Sequence, residues 1–160
     1  MLKAEEIKGY NLFAGLDELE LDRIAKLCTR KTYKPNTVIF DPNATNSNVY
    51  LLEGGNESIQ IEIPFNNGKS KIVIHSLSKG ETFGWAPLCS IQVRTATARV
   101  IEQATVIQMI GTDLVDLCKK HDHMGYMLMK NLSGIINTRL EYTTLVLRNR
   151  LQKSGKRTTS

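Results

Sequence analysis

The most informative stretch of the chain is residues 80–99, which read GETFGWAPLCSIQVRTATAR. A glycine and a carboxylate, Gly80 and Glu81, open a short segment that we expect to be helical. Arg94 and the hydroxyl residues after it then open a β-strand. The amides at a helix N-terminus and a nearby guanidinium can share a phosphate, while a carboxylate accepts hydrogen bonds from sugar hydroxyls. The stretch therefore favours a site for a phosphorylated sugar; the alternative is that Arg94 only bridges a surface acid.

On both sides of this stretch, from Thr37 to Gly111, apolar residues recur in short runs of period two. In residues 59–65 every second side chain is apolar, which predicts a half-buried strand. The segment that follows, Asn66-Asn67-Gly68, predicts a hairpin, because Asn-Gly suits a type I′ turn. Several such runs separated by turn residues indicate a barrel or a jelly roll.

Helical spacing flanks the strands. Apolar residues from Leu12 to Cys28 predict a helix, and Asp17 with Glu20 forms a capping box for its second half. A second long helix is predicted from about residue 122 to 152, which would span roughly 45 Å.

This long helix carries a seam that predicts a homodimer. Its apolar positions recur every three or four residues, interrupted by one threonine, and the alternative is that they pack wholly on the barrel. The seam consists of Met129, Leu132, Ile136, Leu140, Thr143, Leu147 and Leu151.

Composition excludes several protein classes. The 160 residues are 41% hydrophobic and 23% charged, as in ordinary globular proteins. No apolar run approaches the ~20 residues of a membrane span, and the first fifteen residues lack a signal-peptide core, so we expect a soluble, cytoplasmic protein. The net charge of +5 lies in the segment from Arg139 onward, which has six basic residues against one acid. We interpret it as a solvated helix end followed by a basic tail; the alternative is an arm that contacts nucleic acid.

Catalytic and metal-binding motifs are missing from the sequence. It has no nucleophilic triad, no P-loop and no dinucleotide fingerprint, so we do not expect an enzyme. Cys28, Cys89 and Cys118 are scattered, as reduced structural thiols would be. His75 is the only histidine on a predicted strand, so no metal site is predicted.

Residues 80–99 resemble the phosphate-binding cassette of cyclic nucleotide-binding domains. That cassette has Gly-Glu, a short helix, and then Arg-Ser/Thr-Ala-Ser/Thr, which Gly80-Glu81 and Arg94-Thr95-Ala96-Thr97 match. Across residues 12–150 further segments resemble the family in the same order, and the nearest branch is the sensor domain of Crp/Fnr-type transcriptional regulators. These segments are Leu12 to Leu16, Pro35 to Phe40 and Val49 to Gly55.

The resemblance implies a mainly β fold: a β-roll, or jelly roll, with an N-terminal helix and a long C-terminal helix. That helix, at about residues 122–152, would be both dimer interface and lid over the ligand. Residues 1–152 would form the sensor domain and residues 153–160 a basic tail. Full regulators continue into a helix-turn-helix domain, for which Leu151 to Ser160 leaves no room. We therefore expect a stand-alone sensor or a truncated regulator, with no direct DNA binding.

The resemblance also implies roles for individual residues. Arg94 would pair with the exocyclic phosphate oxygens, Glu81 would accept from the ribose 2′-hydroxyl, and Gly80 would permit a close turn. Thr95 would contact the phosphate or the purine edge, which leaves both cAMP and cGMP open as ligands. The base would meet the long helix. The candidate ligand-binding set is Gly80, Glu81, Phe83, Gly84, Trp85, Arg94, Thr95, Ala96, Thr97, Arg139 and Thr143.

Two departures from the family pattern leave alternatives open. Glu81 and Arg94 are thirteen positions apart, whereas nucleotide-binding members use nine or ten. Trp85 stands where small or aliphatic residues are usual, and it either packs under a longer helix or fills the place of a nucleotide. The alternative to a cyclic-nucleotide sensor is a degenerate β-roll that acts as a dimeric protein-interaction module. A haem sensor would have only His75 as an axial ligand.

Overall fold

A computed structural model of the chain describes residues 1–90 and 92–157. Within them, the α-helices are α1 (Ala4–Ile7), α2 (Glu18–Ala25), α3 (Gly111–Lys119) and α4 (Asp122–Arg157), with 3-10 turns at Asn11–Phe13 and Ala86–Leu88. The strands are β1 (Thr29–Tyr33), β2 (Val38–Phe40), β3 (Asn48–Gly54), β4 (Ile59–Phe65), β5 (Ser70–Ser76), β6 (Thr82–Phe83), β7 (Thr97–Val100) and β8 (Ala104–Ile110).

The strands form two antiparallel four-stranded sheets, in the orders β1-β8-β3-β6 and β2-β7-β4-β5. Alternation along β3 gives the first sheet two apolar faces. Tyr50 and Leu52 pack with the second sheet, whereas Val49 and Leu51 pack with the helices. This arrangement confirms the predicted mainly β fold, a β-roll with flanking helices.

The hairpin between β4 and β5 follows its sequence signal. The Lys69 amide donates to the Asn66 carbonyl at 3.1 Å, and the two residues between them, Asn67 and Gly68, have φ of 54° and 81°, positive as a type I′ turn requires. The strands meet beyond this turn, where Phe65 pairs with Ser70. The predicted strand pairing is therefore confirmed.

The N-terminal segment departs from the predicted continuous helix over Leu12 to Cys28. The Asp17–Glu20 capping box is present and opens α2, but the chain turns at Gly15, where φ is +81°. A Cβ at Gly15 would overlap the side chain of Met127 on α4. The positive φ favours glycine at this turn, because other residues rarely adopt it, and the turn is why the prediction of one continuous helix was wrong.

Helix α4 begins at Asp122, as predicted, and continues to Arg157. Residues 153–157, expected as tail, are thus helical backbone, and 158–160 lie outside the described residues. The first part of α4 buries Met124, Leu128 and Leu132 in the helical core. The following part crosses the end of the β-roll and borders a cavity there.

Candidate functional site

A cavity of about 210 Å³ lies between the β-roll and α4, and we call it the Arg94 cavity. The second sheet supplies apolar side chains from β2, β4 and β5, the 80–99 segment supplies apolar side chains together with Arg94 and Thr95, and α4 contributes two lining residues. It is lined by Phe40, Ile61, Ile63, Ile74, Phe83, Gly84, Trp85, Ala86, Val93, Arg94, Thr95, Ala96, Arg139 and Thr143.

Arg94 is a buried cation whose hydrogen-bond acceptors in the described chain are all uncharged. Its side chain donates from Nη1 to the Gly84 carbonyl (3.2 Å), and from Nη2 to the Asn46 Oδ1 and the Asn48 carbonyl (both 2.9 Å). The guanidinium also lies 4.1 Å from the centre of the Phe40 ring. Burial lowers the pKa of Arg94, yet an arginine stays charged in proteins. The cavity therefore holds a positive charge that suits an anion.

Gly84 lets the backbone approach this guanidinium. Its φ is +67°, and a Cβ there would lie 2.8 Å from Phe40, 2.9 Å from Tyr50 and 3.0 Å from Nη1 of Arg94. Two of these neighbours belong to a stack of three aromatic rings, in which Tyr50 and Phe83 lie 5.1 Å apart. The glycine is therefore needed where the cassette crosses this stack.

Trp85 occupies the cavity wall beside α4. The prediction of a helix directly after Gly80-Glu81 is wrong, because Thr82–Phe83 pair with β3 as strand β6. The 3-10 turn Ala86–Leu88 begins only after Trp85. The guanidinium of Arg139 on α4 lies 5.3 Å from the Trp85 ring centre.

Glu81 does not line the Arg94 cavity. Both of its carboxylate oxygens lie 2.9 Å from Nε2 of His75, and the Ser78 amide donates to Oε2 at 2.5 Å. Nη2 of Arg139 is 3.9 Å from Oε1. Burial raises the pKa of Glu81, but the hydrogen bonds and the two basic neighbours outweigh it and leave that pKa below the ordinary 4.5. The carboxylate is therefore ionised and already partnered.

These contacts join α4 to the β-roll in a cluster that we call the helix clasp, which consists of His75, Glu81, Trp85, Arg139 and Tyr142. The His75 and Tyr142 rings stack with their centres 4.8 Å apart. The Arg139 side chain is only 12% exposed, and its burial lowers its pKa against the opposing effect of Glu81. The clasp therefore holds α4 over the Arg94 cavity through both charge and aromatic contacts.

A second cavity, of about 380 Å³, lies on the other side of the clasp. Glu81 and Arg139 border it, together with Asn11, Lys130 and Thr138. Arg139 thus borders both cavities, whereas Glu81 lines the second one only.

The structure brings most of the predicted site residues together. Eight line the Arg94 cavity: Phe83, Gly84, Trp85, Arg94, Thr95, Ala96, Arg139 and Thr143. Gly80 lies in the turn before β6, with φ of +92°, and Thr97 is buried on β7; neither lines either cavity.

The sequence did not predict the apolar wall of the cavity or the residues that accept hydrogen bonds from Arg94. The inward positions of β4, Ile61 and Ile63, were available from the strand alternation, but nothing local joins them to the cassette. Asn46 lies in a polar loop before β3 and carried no signal at all.

Residues 1–90 and 92–157 contain no group of three or more His, Cys, Asp or Glu side chains placed to hold a metal ion. None of the helices in this part of the chain is both long and apolar enough to cross a bilayer.

Comparison with solved structures finds the same fold in regulatory proteins. A Geobacter metallireducens protein assigned to the cyclic nucleotide-binding proteins is 26% identical, with a TM-score of 0.70 over 88% of this chain and 99% of its own. The Thermus thermophilus catabolite activator protein is 23% identical, with a TM-score of 0.69 over 86% of this chain, which spans 62% of that protein. The regulatory domain of Toxoplasma gondii PKA, solved with cAMP, is 18% identical, with a TM-score of 0.68 over 82% of this chain and 48% of its own.

The family comparison agrees with the fold. No curated protein matches the chain. The cyclic nucleotide-binding domain model matches residues 30–121, which include β1 without its first residue, all of β2 to β8, and the whole 80–99 segment. The family predicted from the cassette is therefore confirmed, and the chain belongs to the cyclic nucleotide-binding domain family.

Proposed function

We propose that the chain is a regulatory module that binds a cyclic nucleotide, cAMP or cGMP, in the Arg94 cavity and signals through α4. The observation that carries this proposal is the side chain of Arg94, a residue that is 7% exposed and lines the cavity. Among the described residues, its guanidinium donates hydrogen bonds to uncharged acceptors only. A cyclic phosphate carries one negative charge, which would pair with this guanidinium.

The rest of the cavity suits the remainder of such a ligand. The side chains of Ile61, Ile63 and Ile74 form an apolar wall against which a purine can pack. Thr95 and Thr143 provide hydroxyls for the phosphate or the purine edge. Both groups are compatible with adenine and with guanine.

Signalling would use the helix clasp. Arg139 borders the Arg94 cavity while it contacts Trp85 and Glu81, so a ligand that contacts Arg139 changes how α4 is held. Such a differential contact is what shifts a two-position equilibrium. We assign Glu81 to this clasp, because His75 and Ser78 occupy its carboxylate.

Titration calorimetry with cAMP and cGMP tests the proposal. We expect micromolar or tighter binding, with a parallel change in the fluorescence of Trp85, the single tryptophan of the chain. No heat at millimolar nucleotide from a folded protein would contradict it and would favour a protein-interaction module.

We expect the proposed signal to be transmitted by a homodimer in which α4 forms the interface between the two copies. Leu132 is buried in the core and Thr143 lines the Arg94 cavity, but the other five seam residues are exposed, Leu140 at 61%. They are Met129, Ile136, Leu140, Leu147 and Leu151. A second copy is the partner whose own seam would match them.

Charging the seam should therefore dissociate the dimer. We expect sedimentation velocity to show a dimer for the unmodified chain and a monomer for the double variant Leu140→Glu, Leu147→Glu, because glutamates opposite one another would be buried unpaired. The control is Leu19→Glu on α2, a leucine that is 62% exposed. A monomer in the unmodified chain across the accessible concentrations would refute the dimer.

The other expectations from the sequence stay predictions. They are the absence of catalytic activity, the cytoplasmic location and the absence of direct DNA binding.

A further inference from the structure

The second cavity is polar, in contrast to the Arg94 cavity with its apolar wall. All of its described lining residues except Gly134 and Ile135 have a polar or charged side chain. Its basic residues, Lys130 and Arg139, outnumber its one acid, Glu81. The described lining therefore carries a net positive charge, which favours an anion.

Arg139 is the basic group of this cavity that is least well partnered. Its side chain is 12% exposed, yet its guanidinium donates no hydrogen bond within the described part of the chain. Oε1 of Glu81 is 3.9 Å from its Nη2, beyond hydrogen-bond distance, and Trp85 offers it a ring face rather than an acceptor atom. A guanidinium has five N–H donors, and polar groups buried to this extent are ordinarily hydrogen-bonded. An oxyanion in the second cavity would give these donors acceptors.

Lys130 adds a second cation on α4. Lys130, Gly134 and Thr138 follow one another at intervals of four residues, which places them in one row along the helix. The ammonium of Lys130 lies 6.0 Å from the centre of the Tyr126 ring and pairs with no carboxylate among the described residues. Apart from the adjoining helix backbone, no atom lies within 4 Å of the place where Gly134 would carry a Cβ. The glycine therefore leaves space between an ammonium and a hydroxyl, both of which can donate to an anion.

The two asparagines of the cavity are held by hydrogen bonds. Thr82 is buried and donates from Oγ1 to Oδ1 of Asn11 at 3.1 Å, which leaves Nδ2 of Asn11 as a further donor. Asn131 donates from Nδ2 to the carbonyls of Leu12 and Ala14, at 3.0 and 2.8 Å. Both side chains are thus fixed before a ligand arrives, which lowers the entropy cost of binding.

We propose that the second cavity is a binding site for a compact oxyanion, a phosphate or a carboxylate group, held by Arg139 and Lys130. Arg139 also borders the Arg94 cavity and lies against Trp85. An anion in the second cavity therefore attracts this guanidinium away from the indole and changes the helix clasp. This site is separate from the proposed nucleotide site and does not depend on it.

Calorimetry with inorganic phosphate and with citrate, in the absence of nucleotide, is the first test. We expect a Kd of about 1 mM or tighter for at least one of them, and the tighter of the two shows whether the site prefers a phosphate or a carboxylate. Trp85 fluorescence should change over the same concentrations. If neither anion gives heat up to about 10 mM with a folded protein, this inference is overturned while the proposed function stands.

Two variants locate the anion. Lys130→Ala should weaken binding by at least about tenfold, because it removes a hydrogen bond to a charged group. Lys153→Ala is its control, since it removes the same charge from the same helix at a residue outside both cavities. Gly134→Leu should weaken binding to a similar extent by filling the cavity. Gly134→Ala is its control, because it adds only a Cβ, for which there is room.

The remaining outcomes each decide against the inference. Equal affinity in Lys130→Ala and Lys153→Ala would show that the anion binds elsewhere. Loss of binding in Arg94→Ala with retained binding in Lys130→Ala would place the anion in the Arg94 cavity. Binding that leaves Trp85 fluorescence unchanged would overturn the link to the helix clasp. Thermal unfolding checks each variant, and if Gly134→Leu does not fold, the exposed lysine pair still decides.

Discussion

Replacement of Arg94 by alanine should abolish nucleotide binding, with a loss of about 2–5 kcal/mol, or at least about thirtyfold in Kd. The phosphate would then enter a largely apolar cavity with Arg139 as the remaining charged donor, and Arg139 is engaged with Trp85 and Glu81. Calorimetry with cAMP measures the loss directly.

The same variant should lose some stability yet remain folded. The Arg94 guanidinium donates to the Gly84 and Asn48 carbonyls, and removal of a buried donor costs about 1–3 kcal/mol. Arg99→Ala is the control: this arginine lies on β7, pairs with Glu62 at 3.1 Å and does not line the cavity. Retained affinity in Arg94→Ala, or an equal loss in Arg99→Ala, would refute the assignment of the phosphate site.

Substitution of Gly84 by alanine should be the most damaging single-atom change in the site. The added Cβ would meet Phe40 and Tyr50 below 3.0 Å, and the positive φ would strain any side chain. Overpacking costs about 1–3 kcal/mol and the left-handed backbone about 1–2 kcal/mol. We expect urea unfolding to show a loss of about 2–5 kcal/mol in the free energy of unfolding, which combines these two effects.

Gly80→Ala separates the two contributions. Gly80 also has a positive φ, +92°, but no atom lies within 4 Å of the place of its Cβ. It should therefore show the backbone cost alone. If the two variants unfold at the same urea concentration, the close packing of Gly84 against the aromatic stack does not matter for stability.

Features with a local signal could be predicted from the sequence. The Asn66-Asn67-Gly68 hairpin, the Asp17–Glu20 capping box and the start of α4 at Asp122 depend on residues within one turn of each other. Arg94 and its neighbours could be placed in the site because the cassette is one continuous stretch. The residues that line the cavity from β4 and β5 are distant in sequence and gave only a strand pattern.

Features that depend on a neighbour distant in the chain could not be predicted. The turn at Gly15 lies against the side chain of Met127 on α4, more than a hundred residues later in the chain. Glu81 looked like a ligand residue because its sequence context is that of the cassette. Its partner His75 is only six residues away, but their contact depends on the path of the chain between the end of β5 and the start of β6. Hydrophobic periodicity in the sequence does not predict that path.

The length of helix α4 would turn a small tilt near the cavity into a larger displacement at its C-terminal end. Its buried first part is a fixed pivot in the core, while Arg139 beside the cavity is roughly 27 Å from Arg157 at about 1.5 Å per residue. A tilt of about 10° at the cavity would displace the far turn by about 5 Å, close to one full helical pitch. If the Arg139 guanidinium left the Trp85 indole and α4 tilted by this amount, the far end of the helix would move far enough for a second protein to detect it.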